Sequence, residues 1–156
     1  MTPKLPVSVL VVVHTAALEV LLLERAARAG YWQSVTGSLD RPDEAPEEAA
    51  RRELREETGI DARAQDLRRW PLTYTFEIYG RWRHRFAPGV THNTEYVFSL
   101  QLPGRVAVTL ASDEHTASRW LPWPDAALTC FSWSNRDAIR ILGQCARSRA
   151  YASSVC

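Results

Sequence analysis

Long hydrophobic runs are missing from this sequence. Two apolar stretches, residues 7–13 and 18–23, fall far short of the roughly 18 residues that a membrane-spanning helix needs. Lys4 is the only basic residue before the first stretch, and the second follows closely, which favours a pair of strands over a signal-peptide core. We therefore predict a protein that has no membrane segment.

The sequence also lacks an excess of either charge. Its 19 basic residues offset 18 acidic ones, for a formal net charge of +1, which argues against a general nucleic-acid-binding protein. Cysteine is scarce and odd in number. Cys130, Cys145 and Cys156 lack the paired spacing of a zinc site, and we predict reduced thiols in a cytoplasmic protein.

Internal repeats, low-complexity segments and linkers are absent, so we interpret the 156 residues as one domain, 1–156. Apolar and β-branched patterns predict strands at residues 7–15, 18–25, 31–36, 73–79, 94–102, 106–110 and 118–121. Residues 62–70 are polar and predict irregular structure. The capping-box pattern from Ser134 to Asp137 predicts the start of a final helix. Strands interspersed with two main helices predict an α/β layered fold.

The first of these helices has a signal at each end. Pro46 suits a first turn, because the N–H that it lacks would be unpaired there. Glu47 and Glu48 follow at positions where the helix dipole favours acids. Gly59 is typical of the left-handed residue that ends a helix. The pattern therefore predicts a helix from Pro46 to just before Gly59.

The acids near the end of this helix are unfavourable for the helix itself. Glu53, Glu56 and Glu57 lie at i, i+3 and i+4, so they share one face about 5–6 Å apart and repel one another. The dipole also disfavours acids in a last turn. A divalent cation, Mg²⁺ or Mn²⁺, would resolve the conflict, because it binds carboxylate oxygens and keeps positions open for water and phosphates. The alternative is a solvated, charged surface helix, but the ordered spacing favours the cation.

The stretch from Glu44 to Ile60 resembles the signature of the Nudix hydrolases. After Glu44 and seven further residues, positions 52–60 read Arg-Glu-Leu-Arg-Glu-Glu-Thr-Gly-Ile, which matches the family order Arg-Glu-aliphatic-any-Glu-Glu-any-Gly-aliphatic. The opening glycine is out of register, since Ser38 holds its position and Gly37 precedes it. Asp43 stands where many members have a glycine. The resemblance implies an αβα sandwich with a mixed β-sheet.

Segments outside the signature resemble one branch of that family, the dihydroneopterin triphosphate pyrophosphatases of folate biosynthesis. These segments are residues 31–38, 76–79, 83–91 and 132–136, so the resemblance spans nearly the whole chain. It implies that the metal ligands are Glu53, Glu56, Glu57 and Glu114. It implies that the substrate-binding residues are Lys4, Arg25, Thr36, Phe76, Glu77, Ile78, Tyr79 and Ser132.

The reaction implied by the resemblance is the Mg²⁺- or Mn²⁺-dependent hydrolysis of a small-molecule triphosphate. The substrate would be 7,8-dihydroneopterin triphosphate, cut to dihydroneopterin monophosphate and pyrophosphate. Both Glu57 and Glu114 are candidates to orient or deprotonate the attacking water. Two alternatives stay open: the same chemistry on a nucleoside triphosphate such as dATP, and a Nudix-like sensor that binds a nucleotide without cleaving it. Glu44, kept together with the other signature acids, argues against the sensor.

Two further groups of residues are candidates for substrate contacts. The basic residues between Arg81 and Arg85 suit a polyphosphate, because guanidinium groups match phosphate geometry; the alternative is a solvated loop. Trp32 and Trp133 suit stacking on a flat heterocycle, and the alternative for both is packing in the core.

Overall fold

The computed structural model describes residues 2–155, with side-chain surroundings over residues 2–149. Within that range seven strands form one sheet. They are β1 Val7–Thr15, β2 Glu19–Arg25, β3 Trp32–Gln33, β4 Val35–Ser38, β5 Leu67–Glu77, β6 His92–Leu102 and β7 His115–Pro122. The helices are α1 Pro46–Thr58, α2 Trp123–Thr129 and α3 Trp133–Val155. Short 3₁₀ segments span Ala64–Asp66 and Gly80–Arg85, and we call the latter the basic turn.

Strand β1 is at the centre of the sheet. It runs parallel to β6, with Val7 opposite Thr94 and Thr15 opposite Leu102, and antiparallel to β2 and β4. Strand β5 pairs with the other edge of β6, and β3 and β7 both pair with β2, all antiparallel. The predicted mixed sheet is confirmed.

Helices cover both faces of this sheet, because β1 is apolar on both. Val9 packs in a cluster with Leu54 of α1, whereas Leu10 packs in a second cluster with Ile139 of α3. A strand buried on two faces has a continuous apolar run and no alternation, which matches residues 9–13. The predicted αβα sandwich is confirmed, with α1 on one face and α2 and α3 on the other.

The prediction of irregular structure at residues 62–70 is wrong for its second half. Leu67 already pairs with Leu100 of β6, and the register then shifts between Arg69 and Thr73. Pro71 lies inside this shift, where its missing N–H removes no ladder hydrogen bond. The interrupted register hides the strand in the sequence pattern.

The prediction of a strand at residues 106–110 is also wrong. Val108 and Leu110 of this segment pack against the core, which accounts for the apolar alternation. The backbone pairs with α1 instead of a strand, since the N–H of Thr109 donates to the carbonyl of Thr58 at 2.9 Å.

The helix ends follow the predicted signals in part. Gly59 adopts φ 75°, ψ 0° after the last residue of α1, as predicted. The final helix begins at Trp133, and its first turn is capped by Ser132, whose Oγ accepts the N–H of Asn135 at 3.3 Å. The predicted capping role of Ser134 is wrong, because its hydroxyl donates to Glu95 instead. Helix α2 was not predicted.

In the described part of the chain, every helix is too short or too polar to cross a membrane. Cys130 is a buried free thiol and Cys145 is an exposed one. Cys156, the third predicted thiol, lies outside the described residues.

Candidate metal and substrate site

Strand β4 and helix α1 carry the signature residues. Strand β4 pairs with β1, and a short loop then leads into α1. The 3.6-residue period of α1 buries Leu54 in the core and places Glu53 and Glu57 on the same buried side. Packing of α1 against the sheet therefore fixes where these two carboxylates lie.

Arg52 ties the signature loop to the helix. Its guanidinium donates to Glu44 Oε1 at 2.8 Å, to Glu53 Oε1 at 2.8 Å and to the Ser38 carbonyl at 3.1 Å. Hydrogen bonding from Arg52 lowers the pKa of the buried Glu44, although burial itself opposes the shift. Glu44 also accepts the N–H of Asp40 at 2.6 Å. Glu44 and Arg52 therefore position Glu53 and the loop.

The glycine that this geometry requires is Gly37. A Cβ at Gly37 would lie 2.0 Å from the carboxyl carbon of Glu53 and 2.1 Å from its Oε1. No side chain fits there while Glu53 keeps its place. Gly37 therefore meets the need for a glycine beside Glu53, with six residues instead of five between it and Glu44.

The carboxylates of α1 are held in an environment that disfavours their charge. Glu57 is 2% exposed, and its Oε2 has no hydrogen-bond partner among the described residues. Burial raises the pKa of Glu57 well above its usual range, and repulsion from Glu53 and Glu114 adds to the effect. Burial also raises the pKa of Glu53 to about 7, against the hydrogen bond from Arg52.

His115 is a neighbour of these acids that the sequence analysis did not single out. Glu57, Glu114 and His115 each offer one ligand atom, and these atoms lie within 4.8 Å of one another. His115 pairs with Arg25 across a register shift in β2 and β7. Burial lowers the pKa of His115 to about 4, and Arg25 contributes to the shift, so the imidazole is neutral at physiological pH. The signal available in the sequence was its position directly after Glu114.

The arrangement of the acids fits a divalent cation. Glu53, Glu56 and Glu114 line a groove beside the Glu57–Glu114–His115 group, so Glu114 belongs to both. A buried carboxylate oxygen without a partner is costly, and a hard cation satisfies such an oxygen and screens the repulsion between the acids. Carboxylates are the ligand type that Mg²⁺ and Mn²⁺ prefer.

Glu53, Glu56, Glu57 and Glu114 form what we call the acidic cluster. Two adjoining cavities open beside it. The polar cavity, about 250 Å³, is lined by Lys4, Arg25, Ala27, Gln33, Thr36, Glu57, Arg85, Asp113, Glu114 and His115. The aromatic cavity, about 180 Å³, is enclosed mainly by Phe76, Ile78, Tyr79, Trp82, Phe86 and Phe131. Its boundary with the polar cavity is formed by Lys4, Arg25, Gln33, Thr36 and Arg85, which line both. The basic side chains of Lys4, Arg25 and Arg85 therefore lie between the acidic cluster and the aromatic walls.

The structure brings most of the predicted substrate contacts together. The aromatic cavity includes Lys4, Arg25, Thr36, Phe76, Ile78, Tyr79 and Ser132 among its lining residues. Glu77 is not among them: it is exposed and forms an ion pair with Arg83. Neighbouring side chains of a strand point to opposite faces, so Glu77 faces away while Phe76 and Ile78 line the cavity. The assignment of Glu77 to the substrate-binding residues stays a prediction, and its side chain is not one that lines either cavity.

The basic turn forms one wall of the site. Arg85 lines both cavities. Arg81 instead lies outside, with its guanidinium carbon 4.8 Å from the Trp82 ring centroid and 5.0 Å from that of Tyr79. This stacking covers the outer face of the turn. Trp133 is 51% exposed at the start of α3, whereas Trp32 is buried in the core.

Comparisons with known proteins find matches over most of the chain. The family model of the NUDIX domain matches residues 4–141. The chain is 46% identical over 139 residues to the dihydroneopterin triphosphate diphosphatase of Escherichia coli K12, an alignment that covers 87% of this chain and 91% of the relative. It is 33% identical over 136 residues to the enzyme of the same name from Haemophilus influenzae, covering 85% of this chain and 84% of that one.

A solved structure of the E. coli dihydroneopterin triphosphate pyrophosphohydrolase superposes with a TM-score of 0.82 at 44% identity. The superposition covers 89% of this chain and 95% of the other. The structural likeness therefore extends over most of the chain.

Proposed function

This chain belongs to the Nudix hydrolase family, and on that premise we propose that it hydrolyses 7,8-dihydroneopterin triphosphate to dihydroneopterin monophosphate and pyrophosphate. One observation carries the proposal beyond family membership: the polar and aromatic cavities join through Lys4, Arg25 and Arg85. This arrangement matches a molecule that has a flat heterocycle at one end, for the aromatic cavity, and phosphates at the other, for the polar cavity. The identity to relatives that carry this activity in their names supports the same substrate.

The acids of the cluster would hold the divalent cation, which we propose is Mg²⁺. These residues are Glu53, Glu56, Glu57 and Glu114. When bound, such a cation neutralises phosphate charge and lowers the pKa of water. These carboxylates fit this role, because a bound cation would be a partner for the unpaired Oε2 of Glu57 and would reduce the repulsion between the acids.

The remaining residues of the site bind and orient the triphosphate. Arg25 lies between the acids and the aromatic walls, with Arg85, Glu57 and Glu114 all close enough to influence its pKa. Its NH1 donates to Gln33 Oε1 at 3.2 Å, which fixes the guanidinium at the boundary of the cavities. Arg25, Arg85 and Lys4 there match the negative charge of a phosphate chain. Glu57 or Glu114 would accept the proton of the attacking water.

A panel of triphosphates tests the proposal. We expect the purified chain with Mg²⁺ to release pyrophosphate, and kcat/KM for dihydroneopterin triphosphate to exceed that for dATP by at least about tenfold. The reverse order would favour a nucleoside triphosphate pyrophosphatase. Absence of pyrophosphate release from every triphosphate would leave a nucleotide sensor and overturn the proposal.

Glu57→Gln replaces a carboxylate of the acidic cluster by a neutral amide, and the side chain keeps its size. We expect kcat to fall by about 10²–10⁴-fold, the usual contribution of a positioned base. Glu48→Gln is the matched control, because Glu48 is an exposed residue of the first turn of the same helix. Equal activity of the two variants at saturating Mg²⁺ would contradict the assignment.

We further propose that the protein acts in the cytoplasm on free small molecules and not on nucleic acid. The near-neutral net charge and the free thiols of Cys130 and Cys145 support this.

A further inference from the structure

A buried carboxylate lies in the aromatic cavity, away from the acidic cluster. Glu95 is on β6 and is 5% exposed, yet it is one of the residues that line the cavity. Its Oε1 accepts the hydroxyl of Ser134 at 2.9 Å. Among residues 2–149, Ser134 is the hydrogen-bond donor to this carboxylate, and a carboxylate can accept further hydrogen bonds from a ligand.

The residues that pair with Glu95 in the sheet or donate a hydrogen bond to it carry no positive charge. Ser8 of β1 and Tyr74 of β5 stand opposite it in the sheet, and Ser134 lies above it on α3. Burial raises the pKa of Glu95 to about 7, and only the Ser134 hydrogen bond opposes this shift. A buried carboxylate without a cation is rare and unfavourable unless donors satisfy it, which points to donors that arrive with a ligand.

Glu95 also lies in the cavity where the heterocycle would bind. Phe76 and Ile78 line the same cavity from β5 and its end, and Phe131 lines it from the segment before α3. Arg25 and Arg85 mark the way out to the polar cavity. A substrate with its phosphates beside the acidic cluster therefore directs its ring toward the walls that include Glu95.

We propose that Glu95 determines substrate specificity by accepting two hydrogen bonds from the 2-amino-4-oxopyrimidine edge of the heterocycle. This inference rests on the proposed function. A pterin presents two adjacent donors on that edge, the exocyclic 2-amino group and the ring N3–H, and the two oxygens of a carboxylate match such a pair as they match a guanidinium. Ser134 is the positioning residue, because its hydroxyl fixes the orientation of the carboxylate.

The chemistry predicts which heterocycles the site rejects. Lumazine has the same ring system as pterin with a carbonyl in place of the 2-amino group, so one donor becomes an acceptor. A carboxylate meets that acceptor with repulsion and one lost hydrogen bond. Sites built to hydrogen-bond a substrate group discriminate strongly against an analogue that lacks it.

Binding of the two free heterocycles tests the proposal. Both are fluorescent, so their dissociation constants are measured by fluorescence titration at pH 7.5. We expect the wild-type protein to bind pterin about 10–100-fold more tightly than lumazine, as for the loss of a hydrogen bond to a charged group. Glu95→Gln should abolish or reverse the preference for pterin over lumazine. The amide of the variant can donate to the 2-carbonyl of lumazine and accept from its N3–H. A purely structural role for Glu95 would weaken both ligands equally.

Tyr74→Phe is the matched control. The Tyr74 hydroxyl donates to Asp137 at 2.5 Å and thus also joins the sheet to α3, but Tyr74 is not one of the residues lining the cavity. We expect this variant to keep the wild-type preference. An unchanged preference in Glu95→Gln, or no preference in the wild type up to millimolar ligand, would overturn the inference.

The outcome is separable from that of the proposed function. Wild-type hydrolysis of dihydroneopterin triphosphate without a pterin preference would reject Glu95 and retain the activity. A pterin preference that Glu95→Gln removes, in a protein that cleaves no pterin triphosphate, would retain Glu95 as the recognition residue and reject the activity.

Discussion

The buried charge of Glu95 predicts how the stability of the ligand-free protein depends on pH. Its pKa is about 7 in the folded protein against an ordinary value of 4.5. A carboxyl whose folded pKa is raised destabilises the fold once it ionises in the unfolded chain. The loss is absent well below pH 4.5, grows between pH 4.5 and 7, and is complete above pH 7. Glu95→Gln removes this loss while preserving the size of the side chain.

The magnitude follows from linkage. With the two pKa values above, ionisation of Glu95 costs roughly 1 kcal/mol of unfolding free energy at pH 5 and roughly 3 kcal/mol at pH 8. The variant should therefore gain roughly 2–3 kcal/mol over the wild type when the pH rises from 5 to 8. For a domain of this size the gain corresponds to a relative rise in Tm of about 5–10 °C.

Urea unfolding followed by circular dichroism, with chelator present at both pH values, measures this difference. All other titrating groups are common to the two proteins, so their effects cancel in the comparison. Glu48→Gln, at an exposed position, serves as the control and should follow the wild-type pH dependence. If Glu95→Gln and the wild type lose stability in parallel from pH 5 to pH 8, the carboxyl is not destabilised by burial and the reasoning fails.

Three further substitutions test the scaffold of the site. Gly37→Ala places a Cβ against the flexible end of Glu53, so the fold should tolerate it while the Mg²⁺ concentration for half-maximal activity rises by about tenfold. Arg52→Ala leaves the buried Glu44 without its cation, and urea unfolding should show a loss of about 2–4 kcal/mol together with reduced activity. Gly143→Ala directs a Cβ to 2.1 Å from the rigid indole at the start of α2, so it should lower stability by about 1–3 kcal/mol without altering KM.

Two variants at less constrained positions serve as references for these experiments. A Cβ at Gly104 meets no atom within 4 Å of described residues, so Gly104→Ala should leave the Mg²⁺ dependence unchanged. Arg55 is an exposed arginine of the same helix as Arg52, and Arg55→Ala should change the unfolding free energy by less than about 0.5 kcal/mol. If Gly37→Ala and Gly104→Ala change the Mg²⁺ dependence equally, the close approach of Gly37 to Glu53 is not the cause.

The features that the sequence predicted well are those written in local signals. The ends of α1 follow from Pro46 and Gly59 because each residue acts on its own backbone, through a missing N–H and a left-handed φ. Strand β1 was predicted with its observed bounds, since a strand buried on both faces is apolar at nearly every position. The cluster of acids on α1 follows from helical spacing alone.

The features that were missed depend on distant partners. Residues 67–70 read as polar and irregular because their strand is paired across a register shift that only β6 defines. Glu95 lies in an alternating strand pattern, where a polar residue ordinarily faces solvent. It is buried because α3, which begins some forty residues later, covers that face through Ser134. His115 joins the cluster because β7 pairs with β2.

Burial disfavours the charge of Glu57 and of Glu95, and both carboxylates lie where a ligand would bind. Both are buried carboxylates that line a cavity. Glu57 Oε2 has no hydrogen-bond partner among the described residues, and Glu95 accepts a hydrogen bond from Ser134 on Oε1. A residue buried only for packing would be replaced by an apolar one at a gain in stability. Because the unfavourable term is removed when a cation or an N–H donor binds, folding and ligand binding are linked. The ligand-free protein is destabilised by these two charges. A ligand that brings a cation to Glu57 and paired N–H donors to Glu95 removes this destabilisation, and a ligand that lacks them does not.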